Sequence, residues 1–260
     1  MPSIAWNVAT WDEEHEWEDG GEEWSRWWGG SEPQWFGALY PRLHRHLPAD
    51  QILEIAPGFG RWSKFLIPNC KRYIGIDLSQ KCVDACQRTF SQFPHASFVK
   101  NDGLTLAGIS SESCNFVFSF DSLLFADLDV LQSYVPEILR VLSPDGAAFI
   151  HHSNLAALDN QGHEYNARAD HARSDTVSAR KVAEAISDAG GYVLIQELIN
   201  WGGGECLLDA MTLFAKRPST QTPVIIENPR FMEEAAMIGS VQSVWSTGQS
   251  PGFWMPPRVR

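Results

Sequence analysis

Gln51-Ile-Leu-Glu-Ile-Ala-Pro-Gly-Phe-Gly60-Arg-Trp62 is the stretch whose reading decides the fold. An apolar run, Ile52 to Ala56, carries one acid in its middle, Glu54. It stops at Pro57 and passes through two glycines into the amphipathic segment Trp62 to Ile67. A strand, a tight glycine turn and a helix in that order let the backbone approach a ligand closely, with the helix N-terminus facing it. The next apolar run, Tyr73-Ile-Gly-Ile-Asp77, ends on an acid. Together these runs read as the nucleoside-binding half of a doubly wound α/β sheet.

Downstream, strand-like and helix-like runs alternate, the pattern of a parallel sheet. Strands are expected at 51–56, 73–77, 96–100, 115–120 and 147–151. Helices are expected at 60–67, 79–90 with Ser79 as N-cap, 129–142 and 178–189. Pro136 would cost a helix interior about 3 kcal/mol, so a kink or a broken start is expected there. Two last runs, 192–199 and 207–215, flank Trp201-Gly-Gly-Gly204 and read as an antiparallel hairpin at the sheet end. The fold class is thus α/β, a mostly parallel seven-stranded sheet with an antiparallel last strand. A polar loop at about 153–177 is longer than compact domains usually carry without function.

Three segments follow from these boundaries. Residues 1–48 form a Trp-rich acidic arm, with a helix at 35–47; 49–217 form the nucleoside-binding domain. Residues 218–260 form a Pro-rich extension holding one helix at about 229–244. Eight acids between residues 12 and 23 lie among Trp6, Trp11, Trp17, Trp24, Trp27, Trp28 and Trp35. A solvated acidic tail rarely carries so many indoles, each a large apolar surface. The arm therefore reads as a lid packed on the domain, an aromatic wall over a ligand, or both.

A net charge of −12 over 260 residues argues against a nucleic-acid surface, which needs clustered Lys and Arg. No apolar run approaches the roughly 20 residues that span a bilayer. The N-terminus lacks a signal-peptide pattern, and a cytoplasmic location is the expectation. The five cysteines show no zinc-like spacing and read as reduced, packed thiols.

A dinucleotide site wants a third glycine after the first strand to cradle a pyrophosphate. Gly58-Phe-Gly60-Arg-Trp-Ser63 lacks it. An adenosyl cofactor without phosphate instead offers an ammonium, a ribose diol and a sulfonium, which acids such as Glu54 and Asp77 can meet.

At this point the chain resembles the class I S-adenosylmethionine-dependent methyltransferases. The matching residues are Glu54-Ile-Ala-Pro-Gly58-Phe-Gly60, Gly75-Ile-Asp77-Leu-Ser79, Asn101-Asp102-Gly103, Phe118-Ser-Phe-Asp121-Ser122 and Leu142-Ser-Pro-Asp-Gly146. Each is weak alone, and their order over residues 51–152 is what carries the resemblance. One departure is Ala56 where many members have glycine. The resemblance implies a Rossmann-like fold and S-adenosylmethionine held by Glu54, Ala56, Gly58, Gly60, Arg61, Asp77, Leu78, Asn101, Asp102, Gly103 and Phe120.

The acceptor is a separate question. Phe149-Ile-His151-His152-Ser-Asn154 ends the fifth strand at the carboxyl edge, where open α/β sheets bind ligands. Strand alternation sends the two histidines to opposite faces. One of them could take a hydroxyl proton, with His152, further into the loop, put ahead of His151. A double histidine here looks like that of sugar O-methyltransferases in bacterial glycan pathways, in which an acid assists. Asp175 is the first candidate for that acid and Asp121 the second. A small-molecule, saccharide acceptor is expected, with Trp28, Trp35 and Trp201 against it and no metal site, since Asp121-Ser122 supplies only one carboxylate. The alternatives are methylation of nitrogen or carbon on another metabolite, and a cofactor-binding module without catalysis. Exposed arms of this kind often pack on a neighbour, so a homodimer is a further expectation.

Overall fold

The structure, a computed structural model, describes residues 3–158, 173–202, 204–220 and 222–246. Part of the polar loop and the last fourteen residues of the extension lie outside them. The strands are β1 (Ala49–Ile55), β2 (Cys70–Asp77), β3 (Ala96–Lys100), β4 (Cys114–Ser119), β5 (Leu142–Ser153), β6 (Tyr192–Ile199), β7 (Asp209–Ala215) and β8 (Val224–Asn228). They form one sheet in the order β3-β2-β1-β4-β5-β7-β6-β8. The pairs from β3 to β5 are parallel, while β7 runs antiparallel to both β5 and β6.

Seven strands are expected, and the sheet among the described residues has eight. The extra strand, β8, lies in the segment read as a Pro-rich tail and pairs in parallel with β6. Its β-branched run Val224-Ile-Ile suits a pleated edge, and Pro218, Pro223 and Pro229 all fall outside it. The β6–β7 hairpin consequently does not end the sheet.

The helices used below are α1 (Ile4–Val8), α2 (Ser31–Gln34), α3 (Tyr40–Leu43), α4 (Ser63–Leu66), α5 (Gln80–Thr89), α6 (Leu128–Val141), α7 (Ala179–Asp188) and α8 (Phe231–Trp245). Ser79 caps α5, its hydroxyl accepting from the Cys82 N–H at 3.1 Å. The broken start expected at Pro136 does not occur, for α6 runs through it. Pro136 and Gln132 are both exposed, so water can reach the carbonyl deprived of its N–H partner. The single helix expected at 35–47 is a π turn (Trp35–Leu39), then α3, then a 3-10 turn (His44–His46).

Two apolar layers flank the sheet. One packs Leu53, Val117, Ala148 and Ile150 against α6 and α7. The other packs Phe116, Phe118 and Phe149 against Trp28, Trp35, Leu39 and Leu43 of the arm and Phe231 and Ala235 of α8. Trp28 and Trp35 are buried core residues, and truncating either to alanine should cost about 3–5 kcal/mol. Arg42 of α3 pins this layer, donating to both oxygens of Glu197 on β6 at 2.5 and 2.6 Å. Asn228 at the end of β8 bridges Glu197 to Glu234 of α8. The helix α8 crosses the arm closely: a Cβ on Gly239 would stand 2.7 Å from the Trp27 carbonyl oxygen. Among the described residues no helix is long and apolar enough to cross a membrane.

Candidate active site

The sheet order reverses between β1 and β4, and a cavity opens at their carboxyl ends, where such sheets bind ligands. It encloses about 1000 Å³, counting its open mouth. The turn after β1 and the end of β2 build its floor. Ala56 leaves β1 at φ +56° and donates its N–H to Ile76 O at 2.7 Å. Gly58, at φ +59°, donates its N–H to Asp77 Oδ2 at 3.0 Å. Asp77 Oδ1 accepts from the Ser79 N–H at 2.8 Å. Burial pushes the Asp77 carboxyl up to about 6 despite these donors.

This geometry tests which nucleoside the floor fits. The Gly58 N–H that could cradle a phosphate is already given to Asp77, and a buried carboxylate beside it would repel an anion. A ribose diol and a cation meet no such opposition. The residues fit an adenosyl sulfonium and disfavour a dinucleotide.

Of the residues expected to hold the donor, Ala56, Gly58, Arg61, Asp77, Leu78, Asn101, Gly103 and Phe120 line the cavity. Glu54, Gly60 and Asp102 do not. Glu54 is fully buried one layer back and accepts from the Tyr73 hydroxyl and, at 2.7 Å, from the Ser63 hydroxyl. Burial pushes its carboxyl up to about 7 against those two donors. Gly60 turns toward Phe90 and Cys86 of the core. Asp102 closes a tight turn, accepting from the N–H groups of Leu104 and Thr105.

The opposite wall is the arm. Asn7, Trp11, Trp17 and Trp24 line the cavity; the indoles belong to the group read as an aromatic wall, but nothing in the sequence set these three apart from the other tryptophans or pointed to Asn7. Asp12 fastens the arm to α5, accepting from the Ser79 hydroxyl and, at 3.1 Å, from the Lys81 N–H. Lys81 Nζ in turn donates to His15 O at 3.0 Å. Arg61 ties the arm to the sheet side of the cavity: its guanidinium lies over the rings of Trp62 and Trp24, at 4.6 and 5.3 Å. It donates to Ser25 Oγ at 3.2 Å and to Asp121 Oδ2 at 2.6 Å.

Trp28 and Trp35, expected against the acceptor, are core residues outside the cavity lining, and Trp35 stacks on Phe65 at 5.1 Å. Trp201 packs between Trp28 and His151, with centroids at 5.1 and 5.4 Å.

The histidine pair divides between the two faces, as alternation requires. The preference for His152 rested on its lying in a loop, but β5 runs on to Ser153 and both histidines are buried strand residues. His152 Nδ1–H donates to Ser153 O at 2.9 Å, and its Nε2 accepts from the Thr212 hydroxyl at 2.8 Å. Burial lowers its pKa to about 4. His151 stacks on Phe120 at 4.5 Å, and its Nδ1 accepts the Asp121 N–H at 3.2 Å. The ring proton therefore belongs on Nε2, 3.6 Å from Asp209 Oδ2, which is past hydrogen-bond reach. Neither ring offers a free lone pair.

Asp209, which the sequence reading did not single out, is an acid beside His151. It is fully buried and paired to Arg173 at 2.7 Å. Burial opposes its ionisation, but Arg173 and His151 hold it below the usual carboxylate range. The antiparallel β5–β7 register brings it there, with Ser153 opposite Asp209. Asp121 is the one expected catalytic side chain that lines the cavity. It sits at φ +65°, a strained conformation of the kind that collects at active sites.

Comparison with known proteins agrees with this geometry. Residues 52–146 match the model of a family described as a methyltransferase domain. YqeM of Bacillus subtilis, a methyltransferase by assignment, is 28% identical over 129 residues. That alignment covers 44% of this chain and 52% of YqeM, so the chain spans about half the length of this relative. Among solved structures, the PH0226 protein of Pyrococcus horikoshii superposes with a TM-score of 0.57 at 16% identity, over 83% of this chain and 99% of that one. The N-methyltransferase NodS of Bradyrhizobium japonicum, in complex with S-adenosyl-L-homocysteine, superposes with a TM-score of 0.52 at 16% identity. It covers 76% of this chain and 89% of NodS. At these identities the two structures speak to the fold alone.

Proposed function

We propose that the protein, whose residues 52–146 match a methyltransferase-domain model, uses S-adenosylmethionine to methylate a hydroxyl of a small molecule, a saccharide being the acceptor class. The observation that carries this reading is the position of Asp121. It lines the cavity beside the glycine loop, and one carboxylate oxygen, Oδ2, is held by Arg61.

When bound, S-adenosylmethionine would supply an electrophilic methyl with a neutral thioether as leaving group. Asp77 and the Gly58 turn would hold its nucleoside end. Arg61 fixes Asp121, whose second oxygen can take the hydroxyl proton as the new C–O bond forms. His151 serves in this reading as an orienting group rather than a base, since its Nδ1 is engaged and its Nε2 carries a proton. Holding hydroxyl and methyl in line contributes most of the acceleration, because a sulfonium is already reactive. The Trp11 indole in the cavity lining offers apolar surface of the kind that suits a sugar ring.

A second reading, transfer to nitrogen, is favoured by the absence of a free histidine lone pair, because an amine needs no strong base. Transfer of labelled methyl to a panel of saccharides and amines decides between them. Saccharide labelling that falls about 100-fold or more in Asp121→Asn while His152→Gln stays near normal agrees with the first reading. Labelling confined to amines, with Asp121→Asn fully active, sinks it.

A further inference from the structure

The helix α8 has two apolar faces. One, carrying Phe231, Ala235 and Ile238, packs on the arm and the core. The other carries Met237, Val241, Val244 and Trp245, which are between 53% and 81% exposed. A surface helix ordinarily turns charged residues outward. Here no charged residue occurs from Ala235 to Trp245.

The spacing of the outer residues is specific. Met237, Val241 and Val244 stand four and then three residues apart, the spacing at which apolar side chains line a seam between two helices. The arm widens this stripe. Gly37 meets Ile238 so closely that a Cβ on the glycine would lie 2.7 Å from Ile238 Cδ1. That contact brings the neighbouring Phe36, 57% exposed, beside the stripe, and Tyr40 packs edge-on against Phe36 at 6.1 Å.

Area and charge together define the partner that fits. A covered aromatic side chain buries about 150–250 Å², so these six exposed residues, three of them aromatic, present on the order of 700 Å². That exceeds the roughly 300–600 Å² of the largest apolar patch on a typical monomer. It approaches the ~800 Å² that each partner gives to a standard interface. Aromatic residues and methionine without charges are also the composition of an interface centre. Chains of net charge −12 repel one another, and the outer face of α8 lets two of them meet with no like charges opposed along the seam.

We infer that the protein is a homodimer in which α8 packs along α8 of a second copy about a twofold axis, with Phe36 and Tyr40 at the margin. A twofold axis needs only one self-complementary patch, and Met237, Val241 and Val244 can interdigitate with their own copies. The inference is independent of the acceptor chemistry proposed above.

Sedimentation of the full chain from about 1 to 100 µM reads its mass in solution. The expected wild-type result is a dimer with a Kd roughly micromolar or tighter. Raising salt from about 0.05 to 0.5 M should tighten it, because salt screens the repulsion between the two acidic chains. Val241→Glu and, separately, Met237→Glu set like charges into the seam and should each weaken association about 100-fold or more. Ser243→Glu adds the same charge on another side of the same helix and should leave the dimer intact. Far-UV circular dichroism checks that each variant is folded. A wild type still monomeric at about 100 µM overturns the inference and leaves the stripe to a different occupant. A dimer that persists in the folded seam variants, that is lost equally in Ser243→Glu, or that loosens as salt rises overturns it as well.

Discussion

Trp17 lies flat on Phe59, with ring centroids 4.6 Å apart and planes within 2° of each other. The outer edge of the same indole comes within 2.8 Å of where a Cβ on Gly58 would stand. Gly58 thus answers two demands at once, a left-handed backbone and room for a ring from a segment forty residues upstream. The arm and the glycine loop form one wall by direct packing.

Loss of that ring should loosen the donor site without unfolding the domain. Trp17→Ala should weaken S-adenosylhomocysteine binding by about 1–2 kcal/mol, roughly ten-fold in Kd. Titration calorimetry measures this directly, and an unchanged Kd would detach the arm from donor recognition.

Ala56 carries a left-handed backbone that glycine adopts freely, and a Cβ there costs about 1–2 kcal/mol. Glycine returns part of this through the freer unfolded chain. Ala56→Gly should therefore stabilise by a net ~0.5–1 kcal/mol. Denaturant melts should show a later midpoint, and an earlier one would contradict the strain.

Glu54 and His152 set opposing pH dependences. Glu54 is raised from 4.5 to about 7, so the folded state keeps a proton that the unfolded chain releases. Its contribution is full below about 4.5 and is lost as pH rises through 7. His152 is depressed from 6.5 to about 4, so its contribution is full above 6.5 and is lost as pH falls toward 4. Each is on the order of 3 kcal/mol, and between about pH 4.5 and 6.5 they offset. Relative to wild type, Glu54→Gln should lose stability on acidification from pH 7 to 5, and His152→Gln should gain it. Melts of the three proteins across that range give the answer; parallel curves would refute it.

Arg61 and Asp121 are a buried pair, at 6% and 8% side-chain exposure, so removing one strands the other. Arg61→Met should cost about 3–5 kcal/mol. Arg61→Met with Asp121→Asn should recover most of that stability and none of the methyl transfer. Recovery of transfer in the double variant would show that neither charge takes part.

Much of this architecture could be read from apolar runs and their breaks. The run 52–56, its glycine exit and the acid at Asp77 led to β1, β2 and the cavity floor, because those contacts are local in sequence. What failed was long-range. Asp209 begins β7, one acid in an apolar run, and only the antiparallel register with β5 brings it beside His151. The tryptophans were visible as a group but not by role. The arm changes helix type several times, so no single period separates the core-facing Trp28 and Trp35 from the cavity-facing Trp11, Trp17 and Trp24. Val224-Ile-Ile was hidden by its prolines, which bracket the strand instead of interrupting it.

The close crossing of α8 over the arm has a consequence for synthesis. Gly239 meets Trp27 across more than two hundred residues of chain, and Gly37 meets Ile238 in the same way. During translation the early tryptophans must wait, without this half of their packing, until the last described helix leaves the ribosome. Docking of the arm is thus a late event in maturation, and a nascent chain arrested before residue 231 would present Trp28 and its neighbours to chaperones.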